Sequence, residues 1–209
     1  MKRGALCLAF AAALLATDSA VACNGKNVLF WDNFAAVNSG WALYDKDTAK
    51  ISGGSLKLTP EPTRRAFIIY RADLYEKANV CVDAALREGT AEPAAAAVGL
   101  IFAWEDYVGF YYFWVSPGNG TAGVSRWSDS ARKWLEPVSP RKLEEINTTA
   151  GAKNSLRLTI DGAHVAAYVN DRPFVEIKIK APELGGFIGL EADAPAAATF
   201  ENFMITDLP

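Results

Sequence analysis

Histidine is almost missing from this chain: its 209 residues contain one, His164. An imidazole-based zinc site needs more than that, and two distant cysteines do not supply the rest. A Ser-His-Asp triad would have to use His164, yet no G-x-S-x-G elbow occurs. No P-loop or dinucleotide fingerprint stands between a strand and a helix. Basic residues are also in deficit, 21 against 24 acidic ones. They form no basic stripe, which argues against nucleic acid or an anionic membrane surface as a partner. Beyond the N-terminus there is no long apolar run, so no transmembrane segment is expected there. No stretch past residue 22 sustains a 3.6-residue apolar period. The nearest is Arg141–Ile146, at most one helical turn in a connecting loop.

The N-terminus is the exception. Met1-Lys2-Arg3 is followed by an apolar run from Ala5 to Ala16 and by the small-residue end Ala20-Val21-Ala22. This order describes a secretory signal peptide over residues 1–22, too short in its apolar part for a span of about 20 residues. A single domain is then expected over residues 23–209, secreted or periplasmic. Cysteine is scarce as well. With Cys7 in the signal segment, only Cys23 and Cys81 remain. In an oxidising compartment these two can pair, and the loop they close is worth about 4 kcal/mol in the chain-entropy account. Two other readings stay open. "AVAC" resembles a lipobox with Ala20 in place of the usual Leu, making Cys23 a lipid anchor of an outer-membrane lipoprotein; alternatively both thiols are free.

What the chain has in quantity is strand pattern. About thirteen short strands, from Val28–Phe34 to Phe200–Ile205, are punctuated by turn pairs such as Gly53-Gly54, Asp161-Gly162 and Gly185-Gly186. "NSLRLTIDGAHVAAYVNDRPFVEIKI" reads as two hairpins with Asp161-Gly162 and Asn170-Asp171 at their tips. Strands in this number without crossover helices exclude a parallel α/β sheet. They call for an all-β fold, an antiparallel β-sandwich or jelly roll. Alternation gives each strand two unlike faces. In Phe187–Asp193, Ile188, Leu190 and Ala192 point one way; Phe187, Gly189, Glu191 and Asp193 point the other.

The row Phe110-Tyr111-Tyr112-Phe113-Trp114 is too aromatic for one core to absorb, because successive side chains of a strand face opposite ways. Tyr111, Phe113 and Val115 read as core, leaving Phe110, Tyr112 and Trp114 on a second face. In order along the chain come "GLIFAWEDYVGFYYFWV", "VSRWSDSARKW", "NSLRLTIDGAHVAAYVND" and "GGFIGLEADAPAAATFENFMI". This series resembles secreted bacterial concanavalin A-like, laminin-G-like jelly-roll domains, including the DUF1080 (3-keto-disaccharide hydrolase) family. The resemblance covers nearly all of residues 23–209 and rests on fold-specifying motifs. It implies carbohydrate as the partner, by fold-level analogy.

Sugar rings present flat C–H faces to aromatic rings, and their hydroxyls need hydrogen-bond partners. Trp104, Tyr107, Tyr112, Trp114, Arg126 and Trp127 are therefore the expected ligand-binding set, with a filled second hydrophobic layer as the alternative. Glu191 and Asp193 share a strand face roughly 7 Å apart at the backbone, a spacing compatible with paired glycosidase carboxylates. Glu105-Asp106 is a second acidic pair. The E-x-D-x-x-E strand of jelly-roll glucanases is absent, however, because Pro195 follows and no third acid comes after it. No cofactor is expected apart from a structural calcium, for which Asp32 and Asp207 are the candidates. The leading expectation is a non-catalytic carbohydrate-binding domain. The alternatives are a glycoside hydrolase or lyase acting on a modified sugar through Glu191 and Asp193, and a structural or protein-interaction domain of the cell envelope.

Overall fold

The computed structural model describes residues 23–38, 40–43, 47–87, 96–195 and 197–209. The expected signal peptide lies outside the described residues, as do Tyr44 and most of the Ala-rich segment 91–97. Two antiparallel sheets form a sandwich, and the described residues contain no helix. The eight-stranded sheet runs β13 (Arg172–Lys178), β12 (His164–Val169), β11 (Asn154–Asp161), β6 (Lys77–Leu86), β15 (Ala198–Thr206), β4 (Ser55–Leu58) and β3 (Ala49–Ser52). Its eighth strand, β1 (Val28–Asp32), also pairs with β15. The seven-stranded sheet runs β10 (Lys133–Lys142), β9 (Thr121–Ser128), β8 (Gly109–Ser116), β7 (Val98–Glu105), β14 (Gly186–Ala192), β5 (Ala66–Tyr75) and β2 (Trp41–Leu43).

The alternating pattern does what it predicts. Ala78, Val80, Val82 and Ala84 of β6 enter the inter-sheet core with Leu100 and Phe102 of β7, and with Ile188, Leu190 and Ala192 of β14. Tyr111, Phe113 and Val115 of β8 join them. The β12–β13 hairpin turns on Asn170 and Asp171, both left-handed at φ 48° and 63°, as a primed two-residue turn requires.

Two strands lack a sequence signal. β3 is only four residues long. β10 carries Pro137 and Pro140, which have no N–H for a ladder and so argue against a strand. Its place reconciles the two facts: β10 is the edge of its sheet, paired only with β9, and the register slips around the prolines. The start of Arg141–Ile146 belongs to β10, so the expected helical turn there is replaced in part by strand.

Cys23 and Cys81 are joined in a disulfide with Cα atoms 5.8 Å apart. Cys81 lies on the outer face of β6, and the bridge pins the segment before β1 across it. A sulfur in a disulfide has no valence left for a thioether-linked lipid, so the bridge and the anchor reading of Cys23 exclude each other.

Candidate functional site

On the outer face of the seven-stranded sheet, a second apolar layer centres on Ile69, Ile101, Phe110 and Tyr112, which are buried. Around them stand partly exposed rings: Phe67, Trp104, Trp114, Trp127, Trp134 and Phe187. Strand register explains how they meet. Phe110 lies opposite Trp127, and Trp127 opposite Trp134, so one row of rings crosses β8, β9 and β10.

Trp104 reaches this face only through a bulge. Leu100 and Phe102 point into the inter-sheet core, and strict alternation would send Trp104 after them. At Ala103 the backbone turns left-handed (φ 49°) and the register slips against both neighbouring strands. The extra residue returns Ala103 to the core side and aims Trp104 outward, a common use of a bulge beside a site. Trp104 then stacks on Phe110 (centroids 4.5 Å apart, planes at 11°) and meets Phe67 at 5.6 Å. Trp134 packs edge-on to Phe110 at 5.5 Å and tilts against Trp127 at 5.4 Å. Together they wall a pocket of about 300 Å³ whose rim carries Glu105 and Asp129. Trp114 lies beside it, flat over β9: a Cβ on Gly123 would stand 2.5 Å from the indole. Its Nε1–H donates to Ser125 Oγ at 3.0 Å.

Charge gathers at one side of the rings. Arg65 Nη1 donates to Glu191 Oε1 at 2.5 Å, and Nε stands 2.9 Å from Asp193 Oδ1. The guanidinium lies over Trp134, 3.9 Å from its centroid, and 5.7 Å from that of Tyr112. Glu191 is fully buried, which pushes its carboxyl up to about 8; Arg65 opposes that shift and the Asp193 charge adds to it. Asp193 is raised too, again chiefly by desolvation. Glu191 Oε2 and Asp193 Oδ1 are both buried without a hydrogen-bond partner among the described residues. Tyr112 is completely buried beneath, its hydroxyl donating to the Glu191 carbonyl at 3.3 Å.

Neither a family model nor a curated protein matches the chain. Solved structures do. The carbohydrate-binding module CBM66 from Bacillus subtilis aligns with a TM-score of 0.59 at 18% identity, covering 87% of this chain and 98% of that one. A Bacillus subtilis protein of unknown function with a galectin-like fold gives 0.63 at 13% identity over 88% and 98% of the two chains. Bacillus licheniformis β-glucanase gives 0.62 at 8% identity over 88% and 100%. The fold is a concanavalin A-like jelly roll. At such identities these likenesses speak for the fold alone, which binding modules and glucanases share.

The residues singled out in the sequence fall into two groups. Trp104, Tyr112, Trp114, Trp127, Glu191 and Asp193 come together on one sheet face, with Tyr112 sealed beneath the surface. Arg126 does not join them. It alternates with Trp127 and points to the opposite face, its guanidinium 5.6 Å from the Tyr111 ring. Tyr107 is 94% exposed in the left-handed turn between β7 and β8, outside the pocket. Asp32 accepts from the Phe34 amide and from Trp41 Nε1, while Asp207 accepts from Asn27 twice. No group of three or more His, Cys, Asp or Glu side chains suited to a metal stands among the described residues. The acidic pair Glu105-Asp106 is divided. Asp106 is bound by Arg71 and, at 2.9 Å, by Trp104 Nε1, and these hydrogen bonds hold its carboxyl below the ordinary range.

Sequence reading missed Arg65, Phe67, Phe110 as a pocket wall, and Trp134. For Trp134 the obstacle was β10, whose prolines hid the strand. For Arg65 nothing local marks a partner 126 residues away.

Proposed function

We propose that this protein is an exported, non-catalytic carbohydrate-binding domain that holds its glycan on the outer face of the seven-stranded sheet. One observation carries the reading: Phe67, Trp104, Phe110, Trp127 and Trp134 open a shallow aromatic pocket on a rigid sheet, where pyranose faces can stack. A hydrophobic layer built only for stability would close over its rings. The disulfide suits export, since such bonds persist in oxidising compartments. Membership of the DUF1080 family rests on the sequence motifs alone.

The hydrolytic alternative has one observation in its favour. A buried Glu191 holding its proton near neutral pH is what a general acid needs. Against it, Glu191 and Asp193 are both tied to the one guanidinium of Arg65, whereas retaining and inverting pairs stand about 5–5.5 Å or 6.5–9.5 Å apart, with sugar or water between.

Calorimetric titration against a glycan panel, with product analysis of every hit, tests the proposal. Trp127→Ala and Trp134→Ala are expected to weaken binding about tenfold with little loss of stability, while Phe113→Ala destabilises by about 3–5 kcal/mol. Turnover abolished by Glu191→Gln would replace binding with hydrolysis. Silence across the panel would favour a structural role in the envelope.

A further inference from the structure

The polar chemistry of the aromatic pocket is one-sided. Its charged lining residues are Glu105 and Asp129, both acidic. Two of its indole N–H groups, the donors that would otherwise meet sugar oxygens, are already engaged: Trp104 donates to Asp106 at 2.9 Å and Trp127 to Asp129 at 2.6 Å. Arg65 lies beside the pocket over Trp134, but its guanidinium is tied to Glu191 and Asp193. Arg126 faces the other side of the sheet, and Lys180 lines the neighbouring grooves. What the pocket offers a ligand is therefore mainly acceptors, namely negative ring faces and carboxylate oxygens.

Such a site complements a ligand that brings donors and positive charge. A cation over an aromatic face gains from the ring quadrupole, more so when desolvated, and the carboxylates of Glu105 and Asp129 add Coulombic attraction. The arrangement of Arg65 over Trp134 already shows one cation on these rings. A uronate would meet Glu105 and Asp129 with like charge. A neutral sugar would stack but leave the carboxylates without an ionic partner. The pocket's volume, about 300 Å³, is at the small end for a small-molecule site and suits one or two sugar units.

We infer that this pocket selects a glycan residue bearing a primary ammonium group, an amino sugar, over neutral and acidic sugars. The inference rests on the glycan-binding reading and narrows its ligand class.

The test is calorimetric titration of the intact protein with four hexasaccharides, of glucosamine, N-acetylglucosamine, glucose and galacturonic acid, at a pH where the amine is charged. The glucosamine hexamer is expected to bind about tenfold tighter than the glucose hexamer in low salt, with the advantage shrinking at high ionic strength. Glu105→Gln and Asp129→Asn should remove most of that advantage, read as the ratio of glucosamine-hexamer to glucose-hexamer affinity in the same variant. Asn keeps a carbonyl acceptor for Trp127, so the pocket wall is retained. Equal affinity for the glucosamine and glucose hexamers would overturn the inference and leave glycan binding standing. So would an advantage that survives both substitutions, or tighter binding of the uronate. Failure of all four hexamers to bind would remove the glycan reading itself.

Discussion

Glu191 shows how strand alternation and burial together set a titration. Its side chain leaves β14 on the outer face, is covered by the aromatic layer, and loses the water that would stabilise its charge. Arg65 returns only part of that loss. In the unfolded chain a glutamate releases its proton near 4.3, whereas in the folded protein it holds the proton to about 8. Between those values the folded state carries the extra proton. This stabilising contribution is complete below the unfolded value and is lost as pH rises toward the folded one. Denaturation midpoints measured from about pH 5 to about pH 8 should therefore fall, with a slope approaching ~1.4 kcal/mol per pH unit for one proton. Glu191→Gln, whose amide can both accept from Arg65 and donate to Asp193, should flatten the profile. A wild-type midpoint rising through this window would mean that Arg65 keeps Glu191 ionised.

At the scale of single strands, the bulge in β7 governs the pocket more than any propensity does. Ala103 holds a left-handed backbone at φ 49°, which costs an L-residue with a Cβ roughly 1–2 kcal/mol and costs glycine almost nothing. Ala103→Gly is expected to keep or raise stability, by up to about 1 kcal/mol, with glycan affinity unchanged. Ala103→Val should lower stability by about 1–3 kcal/mol and disturb the stacking of Trp104 on Phe110. Urea denaturation reads the first effect and tryptophan fluorescence the second. Should valine prove harmless to both, the bulge would not be what aims Trp104. β10 illustrates the complementary case. Its prolines are tolerated because one side of an edge strand has no ladder to complete, and the strand still delivers Trp134 to face Trp127.

For the whole molecule, the disulfide is the one covalent tie between the start of the described chain and the middle of the sandwich. Cys23 and Cys81 are separated by 58 residues, and closing a loop of that size removes about 4 kcal/mol of freedom from the unfolded ensemble. Paired Cys23→Ser and Cys81→Ser substitutions should lower the unfolding free energy by about that amount, and mild reduction of the wild type should act alike. Mass spectrometry of exported protein should find a chain beginning at Cys23 and a gain of about 2 Da on reduction. A midpoint insensitive to reductant would mean that the bridge is not formed.

Much of this architecture is local in origin and therefore readable along the chain. A period of two, turn pairs that accept left-handed φ, and the absence of any helical period are nearest-neighbour properties. From them follow an antiparallel sandwich, the hairpin tips, and the division of the Phe110–Val115 row into a core face and an outer face. The grouping of Glu191 with Asp193 on that outer face has the same origin. The tertiary structure alone decided what depends on register and on distant partners. It sent Trp104 out through a bulge and turned Arg126 away from the rings. It gave β10 the edge position that tolerates its prolines, and it brought Arg65 to Glu191 across 126 residues of chain. Alternation fixes which way a side chain points relative to its own neighbours. Which neighbours it meets is set by sheet pairing, where one slipped residue exchanges the two faces.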